Sequence, residues 1–80
     1  MMASAYVLIK VEAGRGREVY DKLMRIKNVQ HVDAVTGPFD LIAIFQGVNF
    51  NEIGQIVLSQ VQTLNGVKET LTCNVLKFEI

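Results

Sequence analysis

"VDAVTGPFDLIAIFQG", Val32 to Gly47, decides how this chain folds. An apolar stretch is broken by Thr36-Gly37-Pro38, a single carboxylate follows at Asp40, and Leu41 to Phe45 then runs without a polar residue. Gly and Pro in that position end one extended segment and open another, so the stretch reads as strand, tight connection, strand. The unbroken run after the turn implies burial on both faces of the second strand. Its predecessor, "VQHVDAV", puts Val29, His31, Asp33 and Val35 on one side and Gln30, Val32, Ala34 and Thr36 on the other.

Working outward, "SAYVLIKVEA" alternates Tyr6, Leu8 and Lys10 with Val7, Ile9 and Val11, another strand with two largely apolar faces. Between these strands, "GRGREVYDKLMRIKNV" carries Val19, Leu23 and Ile26 at helical spacing, with Glu18, Asp21, Lys22 and Arg25 around them. Gly14 and Gly16 suit the turn into that helix, and Asn28 its end. After the central strands, Asn49 with Glu52 three positions on resembles a capping box. Ile53, Val57, Val61 and Leu64 then form one helical stripe that Asn65-Gly66 should stop, with Gly54 either weakening the first turn or admitting another backbone. "VKETLTCNVLKFEI" closes the chain as a long strand, Thr70, Thr72, Asn74, Leu76 and Phe78 facing one way and Leu71, Cys73 and Val75 the other.

The resulting order, β-α-β-β-α-β, is the split βαβ of the ferredoxin-like α+β class: a four-stranded antiparallel sheet with both helices on one face. The other face carries Tyr6, Leu8 and alternate residues of "LIAIF", and nothing in the chain remains to cover it. A second subunit in a two-fold pairing is the expected cover.

Composition narrows the function. Eighty residues make a single domain, 1–80, that buries only about 60% of its unfolded surface on folding and so calls for a staple. One cysteine and one histidine exclude an internal disulfide and a clustered soft-ligand metal site, which leaves self-association. Eight basic residues balance eight acidic ones, so no field attracts nucleic acid or anionic lipid. The opening "MMASAYVLIKV" matches neither a secretory signal nor a membrane span, and a cytoplasmic protein with a reduced thiol is the simplest reading.

Catalytic constellations are hard to assemble. Cys73, flanked in its strand by Leu71 and Val75, reads as a small buried hydrophobe. His31 reads as a polar strand residue, with a pH-sensitive or metal-ligating role as the sharper alternative. Asp33 and Asp40 flank the turn without being forced together, and Glu12, Glu18, Asp21, Glu52, Glu69 and Glu79 read as solvated charges. "GRGREV" lacks the third glycine of a dinucleotide fingerprint and the Gly-Lys-Ser/Thr of a P-loop. Tyr6 and Phe45 lack the glycine-aromatic spacing and basic surround of an RNA-reading sheet. The turn itself supports two readings. Gly37, Pro38 and Asp40 can simply build a stiff turn, or its free amides, carboxylate and aromatic ring can hold a zwitterion, with Asp40 meeting the ammonium group.

"HVDAVTGPFDLIAIFQG" resembles the segment that marks the effector-binding (RAM) domain of the Lrp/AsnC family of feast/famine transcriptional regulators. "GREVYDKLMRIKNV" is similar to that family's first helix, and "GVKETLTCNVLKFEI", with its Thr-x-Thr at Thr70 and Thr72, to its last strand. The likeness extends from about Tyr6 to Phe78 and departs in starting at the first strand, where full-length members carry a helix-turn-helix domain. It implies a stand-alone, non-enzymatic domain without cofactor or direct nucleic-acid contact, forming homodimers that assemble further, commonly to octamers. It implies amino-acid binding in clefts between dimers, with Thr36, Gly37, Phe39 and Asp40 as ligand-binding candidates and Thr70 and Thr72 as a second group. Pro38 stands where many members have a polar residue, and a full-length relative is the implied downstream partner. Two other functions fit the same topology: a cofactor-independent enzyme of the dimeric α/β barrel type, with His31 and Asp33 as acid and base, and a purely structural oligomerisation module.

Overall fold

Alternation in strand β1 (Ala3–Val11) sends Ala5, Val7 and Ile9 into a core that buries them completely, and turns Tyr6 and Leu8 to the opposite face. The computed structural model describes residues 2–78, so Glu79, expected as a solvated charge, and the far end of the last strand lie outside the described residues. After β1 come helix α1 (Gly16–Leu23), strand β2 (Val29–Ala34), strand β3 (Leu41–Gly47), helix α2 (Phe50–Ile56) and strand β4 (Val67–Asn74). The sheet is antiparallel throughout, in the order β2-β3-β1-β4. That is the ferredoxin-like arrangement expected of the sequence.

Register explains the core. Ala5 pairs with Phe45, Val7 with Ala43 and Ile9 with Leu41, so the central strands present one continuous apolar surface to the helices. Val19 and Leu23 of α1, with Ile53 and Ile56 of α2 and the two valines beyond it, close over that surface. Phe45 is the largest wholly buried side chain. Helix α2 starts as its sequence predicts: the Asn49 side chain accepts from the Glu52 amide at 2.8 Å, and the Glu52 carboxylate accepts from the Val48 amide at 2.8 Å. Nothing lies within 4 Å of a Cβ placed on Gly54, so that glycine admits no other backbone from within the chain.

Several details differ from the sequence reading. Helix α1 ends at Leu23, five residues before Asn28, whose side-chain amide instead donates to the Gln46 carbonyl at 2.9 Å. The return bond, from the Gln46 amide to the Asn28 carbonyl at 2.9 Å, makes Asn28 a clamp between the segment before β2 and the end of β3. A bulge between Val29 and His31 adds a residue to β2, so Val29 pairs with Phe45 and packs on the core instead of sharing a face with His31 and Asp33. Helix α2 widens into a π-helical segment, Val57–Val61, closed by a bond from the Gln62 amide to the Val57 carbonyl at 2.9 Å; the helical stretch thus ends well before Asn65-Gly66. The hydroxyls of Ser59 and Thr63 bond back to the carbonyls of Gln55 and Ser59 at 2.7 and 2.8 Å, local competition that favours such a departure from α geometry. The stripe survives it: Ile53, Val57 and Val61 are buried and Leu64 packs beside them.

Strand β4 ends at Asn74, and residues 75–78 continue without regular structure, tied by the Val75 amide to the Ser4 carbonyl at 2.9 Å. Cys73 pairs with Tyr6 and Leu71 with Leu8, which places both on the sheet face away from the helices. Cys73 is therefore exposed, not buried as its apolar neighbours suggested: those neighbours line the uncovered face. That face also carries Ile42 and Ile44, which pair with Leu8 and Tyr6.

Candidate functional site

The connection from β2 to β3 brings the candidate carboxylate to the end of β1. Gly37 sits at φ +135°, a left-handed conformation that side chains with a Cβ resist, so the turn requires this glycine. Beyond it, the Asp40 amide donates to the Ile9 carbonyl at 2.9 Å and its carbonyl accepts from Val35 at 2.9 Å. The Asp40 carboxylate reaches across to β1, where Oδ2 accepts the Val11 amide at 2.9 Å. That amide sits where the pairing of β1 with β4 shifts register between Lys10 and Val11, and Asp40 satisfies it there.

Asp40 also lines a cleft of about 620 Å³ at this end of the sheet. The start of α1 forms one wall, through Gly14, Gly16, Arg17 and Tyr20; Ala34, Val35 and Leu41 form the other, and Val11, Glu12 and Ala13 the floor. Gly14 takes φ +80° to turn the chain into α1, and a Cβ there would have open space around it. No side chain caps the first turn of α1, so its leading amides border the cleft without an intrahelical partner. Amides and the Arg17 guanidinium suit an anionic group, the carboxylates of Asp40 and Glu12 suit a cationic one, and the aliphatic wall suits carbon between them. A group with both charges on one small skeleton fits this inventory.

Of the residues expected at a site, Asp40 alone lines this cleft. Thr36 and Gly37 are exposed on the turn beside it. Phe39 packs under Lys10, whose ammonium stands 5.6 Å from the ring centroid. Because Lys10 belongs to the helix-free face of β1, the ring lies on that side of the sheet. Thr70 and Thr72 pair with Ile9 and Val7 from the β4 edge and border neither this cleft nor the second one. Thr70 instead receives a bond from the Gln62 side chain at 3.0 Å. Sequence reasoning did not bring Arg17 or Tyr20 to a site and read Glu12 as a solvated charge; the one available signal, for Arg17, was "GRGREV", weighed as a phosphate cradle.

His31 and Asp33 do come together, with Nε2 and Oδ1 at 2.9 Å, but on the exposed outer face of β2 and outside both clefts. The second cleft, about 690 Å³, lies at the opposite end between Met2–Ser4, Val48–Phe50 and Val75–Lys77. Among the described residues no three His, Cys, Asp or Glu side chains gather into a metal site, and no helix is long and apolar enough to cross a membrane.

Comparison with known proteins bears on the fold and the family. The family model of the Lrp/AsnC ligand binding domain matches residues 4–79. The HTH-type transcriptional regulator FL11 of Pyrococcus furiosus is 36% identical over 73 residues, covering 91% of this chain and 48% of the relative. The chain thus spans about half the length of the curated relatives it matches. TTHA0845 from Thermus thermophilus superposes with a TM-score of 0.90 at 27% identity, covering 98% of each chain. The transcriptional regulator NMB0573 from Neisseria meningitidis, solved as a complex with L-Met, superposes with a TM-score of 0.84 at 22% identity, covering 94% of this chain and 50% of that one. This chain belongs to the Lrp/AsnC ligand binding domain family.

Proposed function

We propose that this protein is a non-enzymatic sensor that binds an amino acid in the cleft beside Asp40 and couples that binding to its own assembly. The observation that carries the reading is the cleft itself, lined by Asp40, Glu12 and Arg17 beside the uncapped start of α1, in a member of a ligand-binding family. An α-amino acid offers the complementary ends, its ammonium to a carboxylate and its carboxylate to the amides and guanidinium. The L-Met bound by the Neisseria regulator makes amino acids the class to test first. Thr36, Gly37 and Phe39 shape the turn next to the ligand, and Thr70 and Thr72 become ligand contacts only where another subunit meets the β4 edge.

Assembly follows from the uncovered sheet face. On that face Tyr6 and Leu71 are nearly half exposed, beside the partly exposed Leu8, Ile42 and Ile44. A second copy stacked on that face forms the homodimer, dimers join into larger rings of the octameric kind, and a full-length relative of the family reads the result. A ligand then shifts the assembly in proportion to its differential affinity for the two states.

The test is a thermal-shift panel of the protein against individual amino acids at millimolar concentration. A ligand at ~100 times its dissociation constant adds about 2.7 kcal/mol of stability. A selective upward shift is the expected result; a flat panel across all common amino acids overturns the reading.

A further inference from the structure

We infer that the segment following β4 is an exchanged arm, with Leu76 and Phe78 of one copy seated in the cleft at the Met2 end of a second copy. Strand β4 ends at Asn74, and the Val75 amide still bonds to the Ser4 carbonyl at 2.9 Å. Past that point the chain has no regular structure and carries Leu76 at 79% exposure and Phe78 at 95%. These are the two most exposed large apolar side chains among the described residues. Single apolar residues scattered over a surface need no explanation, but these are not scattered. Met2, Val48 and Phe50 are exposed around the same cleft. Five of the nine exposed large apolar side chains among the described residues thus gather at one end of the molecule, which marks that end as a contact surface.

The cleft between them measures about 690 Å³ and is walled by Met2, Ala3, Val48, Phe50, Val75 and Leu76. Walls of that kind suit an apolar side chain. The copy's own Phe78 does not fill the space: residues 75 to 77 already form one wall, and the ring that follows them stands in water. A second copy brings the same two side chains on an identical arm, and a two-fold pairing lets each arm enter the other's cleft in one closed exchange. The area suffices. Two phenyl rings at about 200 Å² each, with matching cleft surface, bury roughly 800 Å², and the two Leu76 side chains carry the total past the ~1,000 Å² that a specific interface needs. The exchange supplies the staple that a core of this size calls for, and it lies at the opposite end of the sheet from Asp40, so it does not depend on amino-acid binding.

The chain has no tryptophan, so Phe78→Trp places a single indole on the arm. Seated in a cleft, that indole is expected to emit at shorter wavelength than indole in water. Adding Val48→Asp puts a charge on the cleft wall at an exposed position, and the emission should return to that of indole in water while a circular dichroism melt checks the fold. Phe50→Asp, on the same cleft, replaces Val48→Asp if that variant does not fold. Co-refolding the double variant with an excess of the parent protein then offers its arm an intact cleft, and the blue shift should reappear. Water-like emission from Phe78→Trp alone, or a blue shift that survives the charge in the cleft, overturns the inference. A blue shift that the charge removes and the parent fails to restore also overturns it, since the arm then closes on its own copy. None of these outcomes touches amino-acid sensing, which the thermal-shift panel tests separately.

Discussion

At Asp40 the main chain and the side chain are engaged together: amide and carbonyl hold Ile9 and Val35, and the carboxylate holds Val11. Replacing it by alanine orphans a part-buried amide, which should cost about 1–2 kcal/mol of stability and also abolish amino-acid binding. Asp40→Asn separates the two effects. Its amide oxygen still accepts from Val11, so a denaturation melt should show most of the stability retained, while the ligand's ammonium loses its counter-charge and titration should show weakened binding. Unaltered affinity in the asparagine variant would remove the charge from the site. The positive φ of Gly37 was legible in the sequence, because a left-handed turn position is local chemistry, whereas the partner of Asp40 was not: its carboxylate takes the Val11 amide of β1 and not an amide of its own turn. Glu12 and Arg17 were not, because they become part of a cleft only when the start of α1 meets the ends of β2 and β3.

Periodicity made the elements legible. The stripe of Ile53, Val57, Val61 and Leu64 and the alternation of β1 both survive in the core as the pattern demands. The capping residue of α2 was readable for the same local reason, and it yields a test: Asn49→Ala should lower stability by about 1 kcal/mol in a denaturation melt, since the Glu52 amide loses its acceptor. An unchanged midpoint would mean that water replaces the cap without loss. What escaped was every feature made by one extra residue. The bulge at Gln30 and the π-helical segment each depend on how a strand or helix meets its neighbours, and no propensity announces them. The face of Cys73 was misjudged for a related reason: alternation shows that two faces exist, and only the pairing with Tyr6 shows which one the helices cover.

For the whole molecule, the sheet is the decisive layer, since its inner face builds the core and its outer face is left with Leu8, Ile42, Ile44 and Leu71. Ile44→Glu leaves the helix-covered core untouched and puts a charge at the centre of that outer face. Light scattering should therefore report a loss of assembled mass, and circular dichroism a retained fold with a lower melting temperature at the same protein concentration. An unchanged mass would show that the outer face is not where copies meet. The bulge in β2 has a further consequence, at the rim of the same sheet. An open sheet edge is a template on which further chains can add strand by strand toward a fibril. In β2 the extra residue breaks the even row of backbone donors and acceptors, and His31 and Asp33 set polar groups along the same strand. Sideways growth is thereby discouraged at this rim, while the broad apolar face beside it stays uncovered.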